Sequence, residues 1–421
     1  MNEPNNQLRY YRELQGWSQQ KVAEELNTDM KMVSKWERGI ATPSPHYREK
    51  LCKLFGKNAL ELGLIKKTNP SSDYQANYTP STTNHSDQIS SKSITNPSLH
   101  FSFGNIETTW VVVDGDGTEE YKPENIHCHF IPEPDKLPDD LAARREQTQK
   151  QQEENRSQGK PFQWDGERYS LDNIIISRSP VEESMILDLW FRPSDYYTFL
   201  ATNQSLKDKT IREKYLKSTD WQSPVKFFSN SFGISLVIIT SDNYTLFTQR
   251  GKNLGSRPSE YNISVSEGLS KALDHKPHNQ APDIYHCASR GITEELGLHE
   301  PDDFQQADII LLSLGIDTLY SLWGLRGIAK VNRTIEEIIQ NWKSGVKDKL
   351  ENIQIHPVKF EPSNIIPFVF SHTPWTPSGL VCVYHALVHE YGRRTTEEAI
   401  KRYFQGQQLP VSKQLYTTDK P

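Results

Sequence analysis

Apolar positions in the first 67 residues recur at helical spacing, and the breaks between runs carry helix-stop and helix-start residues. Asn6–Gln15 predicts a first helix with Leu8 and Tyr11 on one face and Gly16 as its stop. Ser18 suits the N-cap of a second helix, Gln19–Leu26, which buries Val22, Ala23 and Leu26. Asn27-Thr28 predicts a tight turn, because Asn tolerates the left-handed backbone region better than most residues. Asp29 then caps Met30–Arg38, with Val33 and Trp36 inward and Gly39 as terminator. Ser44-Pro45 opens a fourth helix with Tyr47, Leu51, Leu54 and Phe55 on one stripe, and Asn58–Leu64 predicts a short fifth.

The pattern then changes twice. Ser, Thr, Asn and Pro supply 20 of the 33 residues in 68–100, so this stretch buries little apolar surface and reads as a disordered linker. Beyond it the runs are strand-like: Thr109–Val113, His127–Ile131, Ile174–Ile176, Met185–Phe191, Ile309–Leu314 and Tyr320–Val331. Residues 139–160 are polar and read as an exposed helix or loop, and Val381–Tyr391 as a closing helix. Gly233–Ile239, the pair Asp242-Asn243 and Leu246–Gln249 together predict a β-hairpin.

Composition narrows this picture. The chain has 421 residues, 35% of them hydrophobic, with mean hydropathy −0.70, which fits packed domains joined by polar linker. No apolar run is long enough to span a membrane, and the N-terminus lacks a signal-peptide pattern. Cys52, Cys128, Cys287 and Cys382 are scattered, which argues against structural zinc and fits a cytoplasmic protein. The net charge of −6 hides an asymmetry of +4 in residues 1–67 against −10 in the remainder. A basic head on an acidic body points to a nucleic-acid partner for the head alone.

The head resembles the Cro/XRE-type helix-turn-helix family. The resemblance runs through Leu8-Arg9, Arg12, Gly16-Trp17-Ser18-Gln19, Val22-Ala23, Leu26, Val33-Ser34-Lys35-Trp36-Glu37-Arg38-Gly39, Pro43, Leu51 and Phe55-Gly56. It implies that the second and third helices dock on DNA from their capped ends, Ser18 and Asp29, with Gln19 touching a phosphate and the first recognition-helix side chain. Met30, Lys31 and Lys35 would then face base edges beside Ser34, while Arg9 and Arg38 hold phosphates. Two positions depart from the family: Lys21 stands where an acid would complete a capping box, and Met30 replaces a polar residue and can only press on an apolar group.

A second resemblance begins at Arg290-Gly291-Ile292-Thr293-Glu294-Glu295-Leu296-Gly297-Leu298, with Ile284, Ala288, Ile292 and Leu296 on one helical face. This is similar to the second half of a Nudix box, and residues 225–395 resemble the strands and helices around one. The resemblance implies an α/β/α sandwich in which Glu294 and Glu295, with Glu267 nearby, bind Mg2+ for a nucleoside diphosphate derivative. Gly291 replaces the acid that follows the box arginine, and Pro282 replaces an upstream acid. Arg290 lies 22 residues after Gly268, a spacing that predicts an inserted loop containing His275, Pro277, His278 and Pro282. His275, His278, His286 and Cys287 are spaced poorly for zinc.

The sequence therefore predicts a multidomain chain: an all-α five-helix head over 1–67, a linker over 68–100 and an α+β region over 101–225, either a separate small domain or an extension of the body. A Nudix-like domain over 226–400 and a tail over 401–421 complete it. The expected function is a sequence-specific transcriptional regulator that binds a double-stranded operator as a homodimer. Its body would sense a nucleotide-type or phosphorylated ligand, or hold a partner. The alternative is a Nudix-type hydrolase with a DNA-binding head, which the two missing acids disfavour.

Overall fold

Ser18 and Asp29 start the two central helices of the N-terminal unit, which falls within residues 1–99. The computed structural model describes residues 5–57, 59, 62–64, 100–179, 184–216, 223–252, 257–345 and 352–407. In the first unit the helices are α1 (Asn6–Leu14), α2 (Gln19–Leu26), α3 (Met30–Glu37) and α4 (Pro45–Phe55). The Ser18 hydroxyl accepts from the Lys21 N–H at 3.0 Å, and the Asp29 carboxylate accepts from the Lys31 N–H at 2.6 Å. Each bond satisfies a donor that the first helical turn leaves open. Asn27 ends α2 in the left-handed region, at φ 54° and ψ 56°, and the Thr28 N–H closes the helix onto the Ala23 carbonyl at 2.9 Å.

Leu8, Val22, Ala23, Leu26, Val33 and Trp36 are buried together with Tyr47, Leu51 and Phe55 from α4. Each large apolar side chain so buried contributes about 2 kcal/mol. The fifth helix expected over 58–64 lies partly outside the described residues. Its described positions are turns at 59, 62 and 63 and a bend at 64, with the Leu64 N–H bonded to the Ala59 carbonyl at 2.8 Å. The expected linker, 68–100, lies outside them except for His100.

The second unit falls within residues 100–421. Its first strands are β1 (Ser102–Phe103), β2 (Ile106–Glu107), β3 (Trp110–Asp114) and β4 (Ile126–Phe130), followed by helix α5 (Asp139–Ser157). Strands β5 (Glu167–Arg178) and β6 (Met185–Asp195) lead to helices α6 (Tyr196–Ala201) and α7 (Lys209–Tyr215). Next come β7 (Phe232–Ile239), β8 (Tyr244–Arg250), β9 (Tyr261–Ile263), β10 (Val265–Gly268) and helix α8 (Ile284–Leu296). Strands β11 (Ile309–Asp317) and β12 (Leu322–Lys330), helix α9 (Ile335–Gly345) and strand β13 (Asn352–Lys359) follow. Helices α10 (Pro362–Ser371), α11 (Pro377–Tyr391) and α12 (Arg393–Gln407) close the unit.

A five-stranded sheet in the order β10-β7-β12-β11-β3 is its centre, with β7 and β12 parallel and the other pairs antiparallel. Alternation along β7 divides the core. Ile234, Leu236 and Ile238 pack with Ile284, Ala288, Ile292 and Leu296 of α8 on one face. Val237 and Ile239 pack with Leu380, Val383 and Leu387 of α11 on the other. With both faces covered, β7 is apolar on both sides apart from Ser235, whose hydroxyl meets that of Ser266 at 3.1 Å.

Residues 101–225 do not stand apart from this core. Strand β3 is an edge strand of the central sheet, and Leu187, Leu189 and Phe191 of the sheet β4-β6-β5 enter the α8-side core. Helix α5 is polar on all sides and buries Leu141 alone, which explains why periodicity left helix and loop open there.

The hairpin expected from Gly233 to Gln249 is only half formed. Its turn exists, with Asn243 at φ 61° and the Thr240 N–H on the Tyr244 carbonyl at 2.9 Å. The strands then diverge, because both edges of β7 are taken by β10 and β12. Strand β8 pairs instead with β13 and β9 in a separate three-stranded sheet.

The turn between α2 and α3 sets their crossing, so its backbone strain is testable. Asn27→Gly is expected to hold or slightly raise the stability of the head. Asn27→Ala is expected to lower it by about 1 kcal/mol, because a Cβ without a compensating polar group is strained in the left-handed region. Hydrogen exchange of the α2 and α3 amides measures both.

Candidate nucleic-acid interface and the box-helix site

Helix α3 has one buried face and one outward face. Val33, Trp36 and Glu37 are buried, whereas Met30, Lys31 and Arg38 are exposed and Ser34 and Lys35 half-buried. Met30 is 42% exposed, so a large apolar side chain stands on the outward face. Arg9 is exposed on α1, with its Nε 2.8 Å from the Glu13 carboxylate. Ser18 and Asp29 are engaged in their own caps.

The position of α3 rests on a pair that sequence reasoning missed. Arg12, 10% exposed at its side chain, meets Glu37, 3% exposed, with Nε–Oε1 at 2.5 Å and Nη2–Oε2 at 2.9 Å. Arg12 Nη1 also donates to the Trp17 carbonyl at 2.8 Å. The hydrogen bonds to Glu37 hold the Arg12 pKa above the ordinary arginine value. Gln19 donates to Glu37 Oε2 at 2.7 Å, so its carboxamide lies against the C-terminal end of α3 rather than the first recognition-helix side chain. A signal was present in the sequence: Arg12 follows Leu8 by four residues, on the face that the helix buries. Glu37→Gln is expected to destabilise the head by about 3 kcal/mol, because Arg12 would keep its burial and lose its counter-charge. Chemical denaturation with exchange at α1–α3 amides checks this.

In the second unit α8 forms as expected. Asp283 caps it by accepting from the His286 N–H at 3.0 Å, and Gly297 ends it at φ 67°. Arg290 is the hub. Its Nε and Nη2 bind Asp274 at 2.9 and 2.7 Å, its Nη1 lies 3.1 Å from Glu267 and 3.2 Å from Glu294, and Nη2 donates to the Gly268 carbonyl at 3.1 Å. Burial works against the charge on Arg290, but the bonds to Asp274 and the charge on Glu267 outweigh it and raise its pKa. Burial also raises the Glu267 carboxyl above its usual range, against the opposing pull of Arg290.

The structure thus brings Glu267 and Glu294 to one guanidinium, while the Glu295 carboxylate accepts from the N–H of Ser266, the residue before Glu267, at 2.8 Å. These residues do not fit a divalent cation. Glu267 and Glu294 share one guanidinium nitrogen, and releasing them to a metal would strip charge partners from an arginine that is 12% exposed. Among the described residues no group of three or more His, Cys, Asp or Glu side chains is arranged to hold a metal ion. His286 Nδ1 sits 3.2 Å from Asp274, and Cys287 is buried.

Two residues explain this arrangement. Asp274, fully buried, comes from the inserted loop between β10 and α8 and closes over Arg290. Gly291 leaves the space into which Glu267 leans, since a Cβ there would fall 2.9 Å from the Glu267 Cβ. The departure from the box and the position of Glu267 are therefore one feature. Gly291→Ala would gain about 1 kcal/mol in an open helix. Here it is expected to lower the thermal unfolding midpoint, because strand β10 must give way.

A cavity of about 390 Å³ opens elsewhere, lined by Leu137, Ala142, Arg145, Arg192, Phe227 and Phe228 among others. Its guanidinium groups are engaged by Asp195 and Asp172.

The capped helix pair, its left-handed turn and the outward α3 face define a helix-turn-helix DNA-binding domain. Residues 8–62 match the helix-turn-helix family model, and the head is of the Cro/XRE type. No curated protein matches the chain by sequence. Among solved structures, the DR0079 protein of Deinococcus radiodurans is similar at 9% identity and TM-score 0.25, over 39% of this chain and 82% of that one. A MutT protein from Methanosarcina mazei Go1 is similar at 10% identity and TM-score 0.22, over 42% and 96%. No helix among the described residues is long and apolar enough to cross a membrane.

Proposed function

We propose that this chain is a sequence-specific DNA-binding regulator of transcription whose body responds to a small ligand or partner. The outward face of α3 carries the reading: Met30, Lys31, Ser34, Lys35 and Arg38 line it, opposite the buried Val33, Trp36 and Glu37. Lys31 and Lys35 read base edges, Met30 presses on a thymine methyl, and Arg9 and Arg38 hold the phosphate backbone. The N–H groups at the starts of α2 and α3, beside Ser18 and Asp29, add to phosphate binding. One such domain covers a half-site, so two copies bind a two-fold operator.

The body is not proposed as a hydrolase. Glu267 and Glu294 are spent on Arg290, and the acid that would act beside them is Gly291. A ligand role leaves this cluster intact and uses the α/β/α sandwich as a binding scaffold.

Selection of bound duplexes from a random pool, followed by salt titration on the winner, tests the DNA reading. Lys31→Ala with Lys35→Ala is expected to weaken binding at least tenfold and to flatten the sequence preference. Arg38→Ala is expected to weaken all sequences alike and to reduce the salt dependence by about one counterion. Enrichment of no motif, or unchanged preference in the double variant, refutes base reading by α3.

A further inference from the structure

Arg12, Arg257 and Arg290 each withdraw from water against a carboxylate. Arg326 does not. It lies in β12, 4% exposed, and among the described residues no acidic oxygen is within ion-pair distance. Its Nη1 donates to the carbonyl of its neighbour Leu325 at 2.7 Å, while its Nε is enclosed without an acceptor. The guanidinium lies over the Trp110 ring, 4.1 Å from the centroid. Trp110 is 1% exposed, and its Nε1 is likewise enclosed without an acceptor. Two orphaned donors therefore sit on two side chains stacked against each other. An isolated cation costs several kcal/mol to bury, and the ring face returns only part of that.

The surroundings are made to hold these groups in place. Gly324, two residues before Arg326 in β12, and Gly315 in β11 lie against them: a Cβ at Gly324 would fall 2.1 Å from the Gly233 carbonyl oxygen and 2.9 Å from Arg326 Nη1, and one at Gly315 2.4 Å from Trp110 Nε1. A glycine inside a central strand gives up packing, and close approach of another group accounts for it. The neighbouring ionisable groups do not neutralise Arg326. Asp317 is bound by Arg257 at 2.6 Å. The Cys382 thiol donates to the Ser235 and Gly327 carbonyls at 3.2 Å, and burial holds its pKa up at about 11. His385 Nδ1 bonds the Ser313 hydroxyl at 2.7 Å, and burial lowers its pKa to about 4, so it brings no charge near neutrality.

We propose that Arg326 and Trp110 anchor a binding site in the body for a small ligand bearing an oxyanion group, a phosphate or a carboxylate. With Nη1 committed to Leu325, the Nε–Nη2 edge is the part of the guanidinium that grips two oxygens of one group side by side. The Trp110 indole N–H supplies a further donor. This rests on the ligand-responsive reading of the body and names the chemistry of what it binds.

The test uses the full chain, with inorganic phosphate and acetate as separate probes in titration calorimetry and thermal unfolding. Phosphate, acetate or both are expected to bind the wild type and raise its unfolding midpoint with concentration. Arg326→Met is expected to weaken that binding at least tenfold, and Trp110→Phe several-fold. Without anion, Arg326→Met is expected to be at least as stable as the wild type, because an uncompensated buried charge has gone. Binding of phosphate alone assigns a phosphorylated ligand, and binding of acetate alone a carboxylate. Failure of both probes to bind the wild type overturns the proposal, as does equal binding to the variants, the mark of an adventitious ion only. Should Arg326→Met fail to fold, its arginine is structural and the proposal falls unless Trp110→Phe, folded, still loses anion affinity. DNA selection on the same preparations separates this from the regulator reading: motif binding without anion binding removes only the anion site.

Discussion

The bidentate pair of Arg12 and Glu37 decides where α3 lies. Glu37 ends α3, Arg12 comes from α1, and Gln19 joins them from the first turn of α2. Three helices are thus tied at one buried point, and the outward residues of α3 are held at a defined angle to the rest of the head. Apolar packing alone tolerates sliding of one helix along another. A hydrogen-bonded ion pair withdrawn from water does not, since misalignment leaves a charge unpaired.

The same constraint has a different consequence in the body. Arg290 draws in Asp274, Glu267 and Glu294, and the cluster that resembles a metal-binding box becomes a closed electrostatic knot. The inserted loop supplies the decisive carboxylate. Arg326 shows the opposite arrangement, a guanidinium buried against an aromatic ring and glycine-lined strands with its charge left open. Two arginines in one sandwich are therefore held in unlike ways, one as a structural hub among carboxylates and one buried with its Nε lacking an acceptor.

The head was largely legible because its signals are local. Caps act within three residues, the Asn27 turn within one, and the buried faces repeat within each helix. The face of α8 was legible for the same reason. The Arg12–Glu37 pair spans 25 residues and left only a hint, a charge on an apolar stripe. Arg326 left a similar hint, a single charge inside the run Leu322–Ala329. Residues 101–225 left the strand Thr109–Val113 legible but not its partner β11, since strand pairing has no spacing rule along the chain.

By itself the sequence determined the helices of the head and α8, the strands of the body's core, and that α3 turns Val33 and Trp36 inward and Met30 and Lys31 outward. Only the tertiary structure decided that β7 and β8 part after a well-formed turn, because β10 and β12 already occupy both edges of β7. It alone decided that Glu267 and Glu294 face an arginine, and that no carboxylate among the described residues comes within ion-pair distance of Arg326. Local propensity settles backbone conformation over a few residues, whereas the partner of a strand edge or a buried charge depends on what distant chain brings to it.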